Sequence, residues 1–177
     1  MSPQLNWGQK RKLLKFFVPS IKNHPDRPVI ISEGDSWFSF PLFSNTIDIL
    51  DSSVNRKISL LRLEKSGDEI LKIFGGKQKI KMRRDLERYP VDALLFSGGG
   101  NDVVGADLLS LLEKNTPGRD WEDCFHYSRV RNRIRQIRYA YEDLINIRDD
   151  VRPVCVIYVN GYDYAIPNGK GVKIGPI

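Results

Sequence analysis

The chain has 177 residues, and this length predicts a single globular domain that spans residues 1–177. Hydrophobic residues make up 41% and charged residues 28% of a chain with a formal net charge of +6, and no apolar run reaches the roughly 18 residues that a membrane-spanning helix needs. Two cysteines are too few for a disulfide scaffold and the N-terminus lacks the pattern of a secretion signal, so we expect a cytoplasmic protein.

Four apolar segments alternate with helical patterns along the chain, as in βαβ units. The predicted strands are Pro28 to Ser32, Lys57 to Leu63, Val91 to Ser97 and Pro153 to Val159. Each is almost continuously apolar, which is typical of parallel strands that are covered on both faces. The pattern therefore predicts an α/β fold with a parallel sheet.

Helical periodicity is found between these strands. The shorter predicted helices are Thr46 to Asp51, Asp68 to Phe74, Lys79 to Tyr89 and Val103 to Glu113, the last of them capped by Asn101 or Asp102. No repeat, low-complexity tract or linker interrupts the alternation of strands and helices, which agrees with one domain.

The longest predicted helix runs from Tyr127 to Asp149. Its apolar residues recur three or four positions apart and form one stripe that should face the core, namely Val130, Ile134, Ile137, Tyr141, Leu144 and Ile147. Its other faces carry arginines between Arg129 and Arg138. A solvated face is the commoner meaning of such a pattern, and a phosphate-binding surface is the alternative. Specific nucleic-acid binding is not expected, because the interleaved aromatic residues and a recognised motif are missing.

Polar motifs directly follow three of the predicted strands. A Gly-Asp-Ser motif ends at Ser36, a Ser-Gly-Asp motif is centred on Gly67, and a Gly-Gly-Asn-Asp motif contains Asn101. Because the carboxyl ends of parallel strands meet at one edge of a sheet, we expect the three motifs to gather at one site. Each motif taken alone is also a plausible turn or cap sequence.

Together these residues offer two of the three parts of an ester-cleaving serine site. Ser36 at a strand-to-helix turn can present its hydroxyl as a nucleophile. Its own backbone N–H, the N–H of Gly67 and the side-chain amide of Asn101 can bind the negative charge that develops on a carbonyl oxygen. The third part, a base that accepts the proton of the serine, is not evident in the sequence.

In this combination and order, the three motifs resemble those of the SGNH, or GDSL-type, hydrolases, and the resemblance extends from Val29 to Pro167. The form Gly-Asp-Ser-Trp-Phe is similar to a bacterial branch of that family. The resemblance implies a three-layer α/β/α flavodoxin-like fold and hydrolysis of a small-molecule carboxylic ester or thioester without a metal or cofactor. It also implies that Ser36 is the nucleophile and that the N–H groups of Ser36 and Gly67 form the oxyanion hole with the Asn101 amide.

The fourth motif of that family, an Asp-x-x-His after the fifth strand, has no counterpart near the end of this chain. The sequence stops at Ile177 before any such segment, so the resemblance predicts a truncated chain that lacks the final strand and helix. An Asp-x-x-His sequence does end at His126, but it precedes the long helix, and we interpret it as coincidental. His24 precedes the first strand and should lie at the opposite end of the sheet.

Several residues beside the motifs are further candidates. We interpret Asp35 as a brace for the nucleophile turn and Asp102 as the cap of the helix that follows it. Trp37 is expected to pack beneath a helix more readily than to stack on a substrate. Asp35, Trp37 and Tyr162 are the candidate substrate-binding residues, the last because it follows strand four at the same edge of the sheet.

The missing base leaves a second function open. A chain of this kind can also be a catalytically incomplete module that binds an ester, a glycan or an acidic partner through the surviving cleft. A missing fifth strand would in addition leave Val154 to Val159 as a bare apolar edge, and such an edge favours self-association.

Overall fold

A four-stranded parallel sheet forms the centre of the molecule. The computed structural model describes residues 13–40, 44–55, 57–104, 107–114, 118 and 120–161. The strands are Val29–Gly34 (β1), Ser59–Arg62 (β2), Ala93–Ser97 (β3) and Val156–Val159 (β4). All neighbours are parallel, and the spatial order is β2–β1–β3–β4. The predicted strands and the parallel sheet are confirmed, with boundaries that differ by at most three residues.

The strand order identifies the fold. β1 lies between β2 and β3, so the direction in which the chain adds strands reverses between β1 and β3. This order is that of flavodoxin-like, doubly wound sheets, and the helices lie on both faces, which makes three α/β/α layers. The crevice at the carboxyl ends of the strands next to such a reversal is where these sheets bind their ligands.

The helices have the following bounds. They are Val18–Asn23 (α1), Thr46–Ser53 (α2), Ile70–Phe74 (α3), Lys77–Arg88 (α4), Gly100–Val104 (α5) and Tyr127–Val151 (α6), with a π-helical turn at Leu13–Phe17 and 3-10 turns at Leu108–Leu111 and Trp121–Cys124. The sequence patterns did not predict α1. In the part of the chain that the structure describes, no helix is both long enough and apolar enough to cross a membrane.

The predicted helix from Val103 to Glu113 is wrong. The described residues form the short helix α5 and then a separate 3-10 turn. That turn ends because Leu112 adopts an extended conformation and forms an antiparallel bridge with Phe125. Leu111 is buried beside it while Leu109 is 81% exposed, so the leucines of this segment do not share one helical face.

One face of the sheet is covered along β1, β2 and β3, and it holds the core. Ile31, Leu94 and Phe96 are completely buried there against α3, α4 and α6. The Phe96 ring packs edge-on against Phe74, with ring centroids 5.9 Å apart, and against Tyr141 at 5.7 Å. Because these strand residues are apolar and alternate with residues of the other face, they bury most of their surface beneath the three helices.

The long helix α6 covers this face with only part of its length. Leu144 and Ile147 are buried as the apolar stripe predicted, but Ile134, in the same stripe, is 53% exposed. The N-terminal half of α6 lies beside α5 and the 3-10 turn, where Arg129 donates to the Ser110 carbonyl at 3.1 Å. Some of the basic residues of α6 therefore bind backbone carbonyl groups and are not only solvated.

The opposite face is half covered. Leu95 and Tyr158 lie side by side on it and border a cavity of about 270 Å³ with Ile47 and Leu50 of α2. Ile47 is fully buried, whereas Val156 and Tyr158 are 49% and 58% exposed. Among the described residues β4 pairs with β3 alone, so it forms one edge of the sheet. The β2 edge lies beside the N-terminal segment, where the Ser20 and Ser59 hydroxyls are 2.7 Å apart.

Candidate active site

The turn that holds Ser36 begins where β1 ends. Asp35 is 2% exposed, and its carboxylate accepts hydrogen bonds from the Trp37 backbone N–H at 3.1 Å and from the Ser97 hydroxyl at 2.6 Å. The Ser97 oxygen in turn accepts from the Asp35 N–H at 3.2 Å. Asp35 therefore connects the turn that holds Ser36 to the end of β3, as its interpretation as a brace predicts.

Gly34 lets these two strand ends approach each other. Its φ is +138°, and a Cβ atom at this position would lie 2.1 Å from the backbone oxygen of Ser97 and 2.7 Å from its hydroxyl. No side chain fits that space, and the backbone conformation is one that residues other than glycine rarely adopt. The first glycine of the Gly-Asp-Ser motif is therefore required by the contact between β1 and β3.

The loop after β3 is joined to the loop after β2. The Asn101 side-chain amide donates to the Asp68 carbonyl at 3.0 Å. The buried Asp102 carboxylate accepts from the backbone N–H groups of Ile70 at 2.8 Å and Leu71 at 3.0 Å. The prediction that Asp102 caps the following helix is therefore wrong, because this residue lies inside α5 and its carboxylate caps the start of α3.

Helix α6 also holds the loop after β3. The Tyr141 hydroxyl donates to the Gly98 carbonyl at 2.8 Å. Burial, together with the negative charges of Asp35 and Asp102, raises the pKa of Tyr141 to about 12. The hydroxyl thus keeps its proton at neutral pH, and it remains a donor to this loop.

Two backbone N–H groups, those of Ser36 and Gly67, lie in loops at the carboxyl edge of the sheet. Within the described residues, neither the Ser36 N–H nor the Gly67 N–H forms a hydrogen bond. Gly67 is exposed, with φ of +84°, and no atom lies within 4 Å of the point that a Cβ would occupy, so a substrate can approach its backbone. Asn101 has a second amide hydrogen besides the one directed at Asp68. Because β1 lies between β2 and β3, these three loops are neighbours at one edge of the sheet.

Neither histidine is bonded to Ser36 in the described part of the chain. His24 follows α1 and precedes β1, which puts it at the amino ends of the strands. His126 stands directly before α6, with Nδ1 3.0 Å from the Ser128 hydroxyl and Nε2 3.8 Å from the Glu113 carboxylate. The geometry supplies no contact through which either imidazole would accept the serine proton.

A buried carboxyl group that the sequence analysis missed lies in β1. Glu33 is 3% exposed, and its Oε1 accepts the Gly34 N–H at 3.1 Å. Burial is the main cause that raises its pKa to about 8; the Gly34 hydrogen bond and Lys81 lower the pKa, and Asp68 and Glu64 raise it. The group is therefore largely uncharged at neutral pH. In the sequence, a glutamate within an apolar strand, directly before the Gly-Asp-Ser motif, is the feature that indicates a buried carboxyl group.

Arg62 binds the segment that follows the turn with Ser36. Its guanidinium binds the carboxylates of Asp48 and Glu64. It also donates to the Phe38 carbonyl at 2.9 Å and to the Asn45 side-chain oxygen at 3.3 Å. One cation at the end of β2 thus connects the turn after β1 with the start of α2.

A cavity of about 480 Å³ opens directly beside Ser36. Its lining residues are Ser36, Trp37, Phe40, Ser44, Asn45, Thr46 and Ile49. Trp37 is 50% exposed and borders this space, so the expectation that it packs beneath a helix is wrong, whereas its neighbour Phe38 is buried. Tyr162, the remaining candidate, lies outside the described residues.

Comparisons with known proteins give a distant structural resemblance. No protein-family model matches the chain, and no curated protein matches it significantly. Among the solved structures that resemble it is a protein described as a GDSL-like lipase from Parabacteroides merdae ATCC 43184. The two are 14% identical with a TM-score of 0.42, and the aligned region covers 75% of this chain and 58% of that chain. A likeness this distant assigns no role to any residue.

Proposed function

We propose that the protein is a serine hydrolase of the SGNH/GDSL type, which cleaves carboxylic esters or thioesters through an acyl-enzyme on Ser36. The observation that carries this proposal is the arrangement at the carboxyl edge of the sheet. Ser36 follows the central strand β1, and the loops with Gly67 and Asn101 follow its two neighbours. The N–H groups of Ser36 and Gly67 have no hydrogen-bond partner within the described residues.

The proposed chemistry assigns each group one task. The Ser36 oxygen attacks the carbonyl carbon, and the N–H groups of Ser36 and Gly67, with the second Asn101 amide hydrogen, bind the oxyanion that forms. The bond to the alcohol or thiol then breaks, and the acyl group remains on Ser36 until water releases it. Loss of one oxyanion donor typically slows such a reaction about a hundred- to a thousandfold.

The proton of Ser36 determines the expected pH dependence. Neither histidine contacts the serine within the described residues, so acylation depends on the small fraction of serine that hydroxide has deprotonated. The acylation rate should then rise with pH without levelling off near neutral pH. A profile that does level off there, and that loses this feature in His126→Ala, would identify His126 as the base.

Hydrolysis of a short-chain aryl ester tests the assignment. Ser36→Ala should abolish the protein-dependent rate, and Asn101→Ala should lower it about a hundredfold or more. Ser39→Ala, on the same loop and half-buried, is the matched control and should retain the wild-type rate. Equal rates in wild type and Ser36→Ala would refute the proposal.

A catalytically incomplete binding module is the second candidate function. The lack of any contact between Ser36 and a histidine in the described residues favours it. Such a module would bind an ester or its analogue with equal affinity in wild type and Ser36→Ala, and would release no alcohol in either. Calorimetry and product analysis on the same samples separate the two functions.

A further inference from the structure

The cavity beside Ser36 lies where one arm of a bound substrate would have to go. Ser36 and Trp37 are both among its lining residues, so the space begins at the proposed nucleophile. Its volume of about 480 Å³ falls within the range of pockets that hold small organic ligands. A group attached to a carbonyl at Ser36 can therefore reach this space without a change of fold.

The wall of this cavity is apolar where it is open. Three large hydrophobic side chains border it, and they are unusually exposed: Trp37 by 50%, Phe40 by 36% and Ile49 by 60%. Exposed apolar surface that a ligand covers stabilises the complex in proportion to its area. Among the described lining residues there is no acidic, basic or histidine side chain, so nothing in this wall compensates a charged group.

The amide side chain in this wall, that of Asn45, is already occupied by the start of α2. The Asn45 side-chain oxygen accepts the N–H groups of Ile47 and Asp48 at 3.0 Å each, and the Asn45 N–H donates to the Asp48 carboxylate at 3.1 Å. This reciprocal cap fixes the wall in place. It also engages the amide oxygen that would otherwise recognise a polar substrate arm.

We propose that this cavity receives an uncharged hydrocarbon arm of the ester or thioester that reacts at Ser36. The inference rests on the proposed function, because it identifies the substrate class of the same site. The hydrocarbon can belong to the acyl group or to the alcohol, since both flank the carbonyl. Each methylene that enters the cavity should raise kcat/KM about fourfold until the space is filled.

Two series of esters show whether the hydrocarbon in the cavity belongs to the acyl group or to the alcohol. In one, the acyl chain is lengthened from acetyl while the aryl alcohol stays the same. In the other, the acetyl group stays the same while an alkyl alcohol is lengthened. For wild type, one series should show a rise in kcat/KM with chain length, and the series that rises identifies the arm that occupies the cavity.

Substitutions of Ile49 test whether the rise comes from this cavity. Ile49→Trp narrows the space and Ile49→Asp introduces a charge on its wall, and each should abolish the rise in kcat/KM with chain length. Ile80 lies on α4 with nearly the same exposure, 59% against 60%, and does not line the cavity. Ile80→Trp and Ile80→Asp should therefore retain the wild-type chain-length profile.

The outcomes test the inference separately from the proposed function on which it rests. A rise that both Ile49 variants abolish and both Ile80 variants retain supports the inference. A reaction that requires Ser36 but is independent of chain length, or that responds equally to Ile49 and Ile80 variants, overturns the inference and leaves the hydrolase proposal intact. The absence of any Ser36-dependent reaction overturns both.

Discussion

The central strands β1 and β3 differ from the outer strand β4 in how they are buried and in how they end. Five of the six residues of β1 are buried, and its end is tied to β3 through Asp35 and Ser97. In β4, three of the four residues are exposed. The comparison indicates that the boundary between β1 and β3 both stabilises the fold and positions the proposed site, whereas β4 contributes less to either.

The largest expected effect comes from adding one methyl group at that boundary. Gly34→Ala would place a Cβ atom 2.1 Å from the Ser97 backbone oxygen, in a backbone conformation with φ of +138°. Neither strand can move without breaking the sheet, so the free energy of unfolding should fall by about 4 kcal/mol or more. Urea denaturation followed by circular dichroism measures this loss.

Gly67→Ala is the matched control for that substitution. Its φ is also positive, at +84°, but no atom lies within 4 Å of the added Cβ. Only the conformational penalty remains, and the loss should be about 1 kcal/mol. Equal losses in the two variants would show that the contact between β1 and β3 is not what makes Gly34 necessary.

An intermediate effect, dependent on pH, is expected from the buried carboxyl group of β1. The pKa of Glu33 is raised from 4.5 to about 8 in the folded protein. Between these values the folded state retains a proton that the unfolded chain loses, so the contribution of Glu33 to stability is complete at low pH and falls as the pH rises towards 8. The slope should approach about 1.4 kcal/mol per pH unit.

Glu33→Gln replaces the ionisable carboxyl group with an amide, whose oxygen can still accept a hydrogen bond from the Gly34 N–H. Its free energy of unfolding should exceed that of wild type increasingly as the pH rises through this interval. Glu33→Leu also lacks the proton and should show the same loss of slope, although it loses the hydrogen bond to Gly34. If wild type and Glu33→Gln have parallel pH profiles, the carboxyl group is ionised in the folded protein.

The smallest effect on stability is expected in β4. Tyr158→Lys changes a side chain that is 58% exposed, so the free energy of unfolding should change by no more than about 0.5 kcal/mol. The substitution should nevertheless lower self-association at high concentration, because charge on an edge strand opposes edge-to-edge pairing. Light scattering measures the self-association of this variant and of Ile80→Lys. Ile80 is 59% exposed on α4, and its variant should associate as wild type does.

The sequence predicted the strands, and the motifs at their ends, because both are local properties. A parallel strand covered on both faces is a nearly continuous apolar run, and the three polar motifs directly follow such runs. The partner of Asp102, by contrast, is the start of α3 about thirty residues earlier, and no local pattern specifies it. The end of the 3-10 turn likewise depends on Phe125, which pairs with Leu112 only in the folded chain.

The environment of the site was less predictable than its motifs. Trp37 belongs to an apolar sequence that is typical of a core, but its side chain is 50% exposed and borders the cavity beside Ser36. The raised pKa of Glu33 arises from burial beneath helices that are distant in sequence. The order of the motifs therefore indicates which loops lie at one edge of the sheet, while the exposure and protonation of their residues follow only from packing.

Covalent labelling of Ser36 tests the central proposal most directly. The intact, folded chain is incubated at alkaline pH with an alkyl fluorophosphonate, whose phosphorus is attacked by the deprotonated serine oxygen with release of fluoride. Peptide mass spectrometry should find one adduct, on Ser36, that is absent in Ser36→Ala, slower in Asn101→Ala and unchanged in Ser39→Ala. No adduct on Ser36, or equal labelling of Ser36 and Ser39, would contradict the assignment of Ser36 as the nucleophile.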